Sequence, residues 1–161
     1  MSIEKVRKYF AALGREGDVI EFPVSSATVE LAAKAAGVIP ARIAKTLSFR
    51  RGESCLLVVT AGDARIDNKK FKAEFGMKAS MPTPEEVLRE TGHAVGGVCP
   101  FAIENELVET FLDVSLRRFE TVFPAAGSDN SAIELTCDEL FEYARAVKWV
   151  DVCKDWDGAP E

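Results

Sequence analysis

The sequence predicts an α+β domain in which short helices surround a mixed, mostly antiparallel sheet or open barrel. Three observations predict it. Apolar runs of strand length, such as "ESCLLVVTAG", stand beside short amphipathic segments. Strands and long helices do not alternate regularly, as a doubly wound parallel sheet would require. Helix starts are marked by caps rather than by long periodic stretches.

The elements follow in order. Ile3, Val6, Phe10 and Leu13 recur at helical spacing, and Gly14 stops that helix. "DVIEFPV" reads as a strand. "SSATVELAAKAAG" reads as a helix opened by Ser25 or Ser26 and closed by Gly37. "ARIAK" suggests a further short helix leading into "KTLSFR", which pairs with "ESCLLVVTAG" across a turn at "RRGE". "DNKKFKAEFG" is helical, with Asp67 or Asn68 as cap. "TPEEVLRETG" has Thr83 as N-cap, Pro84 next, and Glu86 completing a capping box. Gly92 ends that helix, so "HAVGGVCPF" is a loop. "LVETFLDVS", "ETVFPAAG" and "SAIELT" read as strands. Thr136 with Glu139 opens a helix over "CDELFEYARAV". "KWVDV" reads as a last strand and "KDWDGAPE" as a frayed tail.

The 161 residues suit one domain, 1–161, with one core. No apolar run approaches the roughly 18 residues of a membrane span. "MSIEKVRKYF" lacks the apolar block of a signal peptide, which points to a cytoplasmic protein without membrane contact. The four cysteines are widely spaced and there is one histidine, so neither a metal site nor a cofactor is expected. Net charge is −6, and residues 129–161 carry all of it, with nine acidic and three basic residues. "RIDNKKFKAEFGMK" is locally +3, and Lys45, Arg50 and Arg51 form a second basic cluster. Such clusters read as solvated faces or as local contacts to phosphates.

The loop "TGHAVGGVCPFAI" concentrates the chemistry. Cys99 with His93 as its base is one reading, since six residues of glycine-rich loop permit contact. The other reading is a backbone site. Gly96 and Gly97 let a ligand approach closely, successive N–H groups can bind an oxyanion, and Pro100 fixes the exit. A plain glycine turn has the same composition. Lys45 lies where "ARIAK" meets "TLSFR"; facing a pocket, its ammonium would hold a phosphate or polarise an ester carbonyl.

"IAKTLSFR", "TPEEVLRETGHAVGGVCPF" and "AAGSDNSAIELTCDEL" resemble, in order, successive segments of the YbaK/EbsC family, free-standing relatives of the editing domain of bacterial prolyl-tRNA synthetase. The resemblance runs from about residue 20 to 150 and rests on a lysine in a K-[TS]-L strand and a G-x-x-x-P loop, here Gly96 to Pro100. It implies an aminoacyl-tRNA deacylase acting in trans. The implied partner is aminoacyl-tRNA held at its 3′-terminal adenosine, with prolyl-tRNA synthetase as a further candidate. It implies that Lys45 is the functional lysine, and that Gly96, Gly97 and Pro100 belong to the loop placing the aminoacyl carbonyl and the water. Thr46, Val98, Cys99, Asp129 and Ser131 are then expected to contact substrate. Many relatives carry Asp or His immediately before the strand matching "IELT", where this chain has Ala132. That departure favours the alternative of a tRNA- or nucleotide-binding module without turnover.

Overall fold

A computed structural model describes residues 2–156 of the protein. In chain order the helices are α1 (Ser2–Ala12), α2 (Val29–Ala36), α3 (Asn68–Phe75), α4 (Pro84–Thr91) and α5 (Cys137–Tyr143). The strands are β1 (Val19–Glu21), β2 (Ile43–Arg51), β3 (Ser54–Ala61), β4 (Arg65–Ile66), β5 (Glu109–Asp113), β6 (Thr121–Pro124), β7 (Ser131–Ile133), β8 (Leu135–Thr136), β9 (Trp149–Val150) and β10 (Cys153–Lys154). The main sheet runs β8-β6-β2-β3-β5-β9 and is open at both edges, while β1 pairs with β7 and β4 with β10. Four of the seven pairings among the described residues are antiparallel and three parallel. The expected mixed α+β architecture is therefore the one observed.

The hairpin β2–β3 forms the middle of the sheet, with Lys45 opposite Thr60 and Leu47 opposite Val58. Its turn carries Gly52 at φ 62°, a backbone angle that favours glycine. From Cys55 to Ala61, β3 is buried on both faces, which explains its unbroken apolar run. Helix α1 lays Val6 and Phe10 on the core, where Phe10 meets Phe101 and Tyr143 edge-on at 4.9 and 5.8 Å. Both expected capping boxes form. Thr83 accepts from the Glu86 N–H at 3.2 Å, and Thr136 from that of Glu139 at 3.1 Å. Each such cap is worth about 1 kcal/mol.

Several boundaries differ from expectation. "ARIAK" is not a helix: a 3-10 turn, Pro40–Arg42, leads directly into β2, because Ile43 takes a ladder partner in β6 and Ala44 takes partners on both sides. The cap of α2 is Thr28, not Ser25 or Ser26, and its hydroxyl accepts from Leu31 N–H. Leu13 lies beyond α1 and is exposed. "SAIELT" splits at Glu134 into β7 and β8, which join different sheets. After β5 the chain turns into a 3-10 segment, Val114–Arg118. Helix α5 ends at Tyr143, short of the full "ARAV" stretch. Within the expected tail, Lys154 is paired with Arg65; the part from 157 to 161 lies outside the described residues.

Candidate functional site

A cavity of about 450 Å³ opens beside β2. Its walls come from β2, β7, the start of α2, the start of α4 and the loop after α4. Of the residues expected to act, Lys45, Thr46, Gly96, Val98 and Ser131 line it, and so does Ala132. The lining is otherwise apolar or hydroxyl-bearing. Lys45 is the sole ionisable side chain among the described residues of that wall. A larger groove of about 820 Å³ lies between α1 and residues 100–110. It holds Pro100 but none of the other expected residues, and Lys5 within it is paired to Glu104 at 2.8 Å. The smaller cavity therefore has the stronger chemical claim.

Lys45 is half-buried, and its ammonium donates to the carbonyl of Ala64 at 2.6 Å and that of Gly62 at 3.4 Å. Burial pushes its pKa below the ordinary 10.5, against smaller upward contributions from Cys153 and Asp63. Two of its three protons are thus engaged, leaving one for a ligand. Thr46 Oγ1 is buried with no partner among the described residues. Ser131 Oγ accepts from Ser128 Oγ at 2.7 Å.

The glycine-rich loop packs on the segment 127–130. Gly96 has φ 99°, and a Cβ built there would lie 3.8 Å from Asp129 Cβ. Asp129 is exposed beside the cavity, and its carbonyl accepts from Ser26 N–H at 2.6 Å. Gly97 stands closer still: a Cβ there would meet backbone atoms of Ser128 at 2.9–3.0 Å. The Gly97 N–H is used within the loop, donating to Ala94 at 2.9 Å. The N–H groups of Gly96, Val98 and Cys99 have no partner among the described residues. Gly96 and Val98 line the cavity, so their N–H groups are the ones available to a ligand oxygen, whereas Cys99 is fully buried.

Cys99 and His93 do touch, Sγ to Nε2 at 3.5 Å, but both are fully buried. His93 Nε2 lies 2.7 Å from the Phe101 carbonyl, so that nitrogen must carry its proton and donate it. It cannot also take a proton from the thiol. Burial lowers the His93 pKa and pushes the Cys99 thiol up to about 12. The pair is core rather than an activated nucleophile. Pro100 is buried beside it.

The sequence reading missed Ser26, Thr28 and Ser48 on the cavity wall. The signal was present for Ser48: Ala44, Thr46 and Ser48 put small residues at period two on one face of β2, where apolar bulk is usual. Ser26 and Thr28 had none, since their role depends on where α2 docks.

A profile of the aminoacyl-tRNA editing domain matches residues 24–143. A Bacillus subtilis (strain 168) protein, YwhH, described only as uncharacterized, is 58% identical over 158 residues, covering 98% of this chain and 100% of its own. The proline–tRNA ligase of Thermotoga sp. (strain RQ2) is 26% identical over 134 residues, 83% of this chain but 22% of the ligase. A solved structure described as a candidate trans-editing enzyme for prolyl tRNA synthetase superposes with TM-score 0.85 at 29% identity, over 95% of this chain and 97% of its own. With the profile covering most of the described fold and its cavity, the chain belongs to the aminoacyl-tRNA editing domain family, in its YbaK-like branch.

Proposed function

We propose that the protein, as one editing domain over residues 1–161, removes mischarged amino acids from tRNA of the prolyl system by hydrolysing the ester to the terminal ribose. The observation that carries this reading is the shared cavity of Lys45 and the Gly96–Val98 loop in a member of the editing family. An aminoacyl ester is already reactive, so positioning a water and stabilising the tetrahedral oxyanion suffice. Free N–H groups at Gly96 and Val98 supply the oxyanion donors. The third proton of Lys45 goes to the terminal adenosine phosphate or the ester oxygen. Among the described residues, the cavity wall offers no carboxylate or imidazole as a base. The substrate's own free ribose hydroxyl orients the water instead. No metal or cofactor takes part. Prolyl-tRNA synthetase is the partner that supplies the mischarged tRNA.

The test is deacylation of prolyl tRNA charged in turn with Pro, Ala, Cys, Ser and Thr. Release of at least one amino acid well above the spontaneous rate is expected. Tight binding of every substrate with no release would instead favour a module without turnover, the reading to which Ala132 in the cavity wall lends itself.

Two further outcomes follow from the site. Cys99→Ser should keep most of the deacylation activity, because the sulfur is sealed from the cavity. Its cost should appear as stability, about 1–3 kcal/mol for a buried hydroxyl lacking a good partner. Trapping of an acyl-enzyme on Cys99 in the wild type would overturn this. The second concerns pH. The folded Lys45 loses its proton below 10.5, so between its lowered pKa and 10.5 the folded protein binds fewer protons than the unfolded chain. The penalty for burying the charge is full below that window and fades as pH rises through it. Catalysis needs the charged form and should decline over the same window. Rates corrected for spontaneous hydrolysis should show an alkaline limb centred below 10.5 that Lys45→Ala lacks. A limb unchanged by that substitution would mean another group titrates.

A further inference from the structure

The two carbonyls that hold Lys45 belong to one tight turn. Ala61 ends β3, and the Ala64 N–H closes back on the Ala61 carbonyl at 3.0 Å, making a turn of Ala61, Gly62, Asp63 and Ala64. Lys45 bonds the carbonyls on either side of Asp63. One flank of the turn cannot retreat: a Cβ on Gly62 would lie 2.2 Å from the Pro40 carbonyl oxygen and 2.7 Å from Val29 Cγ1. The turn is wedged against the walls that open the cavity.

On the other flank the 3-10 segment grips the turn at two points. Ser115 Oγ accepts from the Ala61 N–H at 3.1 Å. Arg118 takes the Asp63 carboxylate in a two-pronged ion pair, with contacts of 3.0 and 2.6 Å. Arg118 is itself fixed: Nε donates to the Ser115 carbonyl at 2.9 Å, Nη1 to that of Trp156 at 3.2 Å, and the guanidinium lies 5.0 Å from the rings of Phe119 and Trp156. The segment is anchored by Asp113, fully buried, whose carboxylate accepts from the N–H groups of Ser115 and Val152, each at 2.9 Å. The side chains of Arg118 and Asp63 are 20% and 23% exposed, so the pair is sheltered enough to hold its geometry.

We propose that Asp63 and Arg118 are positioning residues for Lys45. Their ion pair sets the turn whose carbonyls aim the ammonium at the cavity. A lysine stem has four rotatable bonds, and a freely moving ammonium would reach a phosphate or ester oxygen only part of the time. Two fixed acceptors remove that freedom before the substrate arrives, which is what preorganisation requires. The proposal rests on the reading of Lys45 as the group that meets the substrate.

The experiment has two arms. In the first, the ammonium resonance of Lys45 in nitrogen-15-labelled protein, identified by its absence from Lys45→Ala, reports proton exchange with water at mildly acidic pH. Exchange at least about tenfold faster is expected in Asp63→Ala and Arg118→Ala, with Asp63→Asn, which keeps the side chain's shape, as the variant that tests the charge without risk to the fold. The absence of a Lys45 resonance from the wild type, or exchange unchanged in folded variants, overturns the proposal. In the second arm, deacylation by Asp63→Asn and Arg118→Ala is compared in the wild-type and Lys45→Ala backgrounds. A loss of roughly tenfold in the first and under about twofold in the second is expected, because the pair acts only through the lysine. Equal losses in both backgrounds would show a role independent of Lys45 and overturn it. Should the wild type deacylate nothing, the deacylase reading falls, while the exchange arm still decides whether the ion pair holds the ammonium.

Discussion

Lys45→Ala is expected to lower kcat/KM for deacylation by about 10- to 1000-fold, the range for one charged contact made in the transition state. The fold should survive. The truncation removes two hydrogen bonds to backbone carbonyls and a partly buried stem. A net loss on the order of 1–2 kcal/mol corresponds to a melting temperature lower by roughly 2–8 °C in a chain of this size. Removing a half-buried ammonium also relieves a desolvation penalty, which works in the opposite direction. Activity and stability thus separate widely in this variant. Single-turnover deacylation together with a thermal melt measures both, and unchanged turnover on a confirmed substrate would remove Lys45 from the mechanism.

Gly97→Ala is the other large effect, and its cause is contact rather than charge. The new methyl would sit 2.9–3.0 Å from the Cα, C and N of Ser128, where ordinary van der Waals contact begins near 3.4 Å. Ser128 cannot give way easily. Its hydroxyl lies within hydrogen-bond distance of the Asn130 and Ser131 side chains, Asn130 donates to the Phe22 carbonyl at 3.1 Å, and Asp129 accepts from Ser26. The loop must yield instead, carrying the N–H groups of Gly96 and Val98 with it. A displacement near 1 Å is enough to cost about 100-fold in a positioned reaction. The accompanying strain, about 1–3 kcal/mol, should lower the melting temperature by roughly 2–12 °C. Gly96→Ala is the matching control. It has room for its methyl but a backbone angle of 99° that resists one, so it probes conformation where Gly97→Ala probes contact. Deacylation that merely tracks the folded fraction in both variants would make this loop an ordinary connection.

What was legible in the sequence is what local chemistry determines. Thr83, Glu86, Thr136 and Glu139 declare their helices because a capping box closes within four residues. The hairpin β2–β3 was legible for the same reason, since two apolar runs flank a glycine turn. "ARIAK" misled because its helical propensity is weak next to two ladders pulling on Ile43 and Ala44. The break at Glu134 was invisible because the strands on either side of it answer to different partners. At the site, Lys45 and Gly96 stood out through residue type and resemblance. Cys99 stood out too, and only its burial against His93 shows where its side chain goes. Asp63 and Arg118 left no trace, because neither their spacing nor their flanks says that a turn and a 3-10 segment meet.

The pairing of β1 with β7 has a consequence for the order in which the chain can acquire its shape. Val19, Ile20 and Glu21 find their partners in Ile133, Ala132 and Ser131. Phe10 likewise waits for Phe101 and Tyr143. On a ribosome, the first part of the chain is therefore made long before anything exists for it to dock on. The hairpin β2–β3 can close early at small entropic cost, whereas the N-terminal arm must remain unsettled until most of the chain has emerged. Synthesis of the far segment, rather than of the arm itself, times the closing of the cavity wall that carries Ser131 and Ala132.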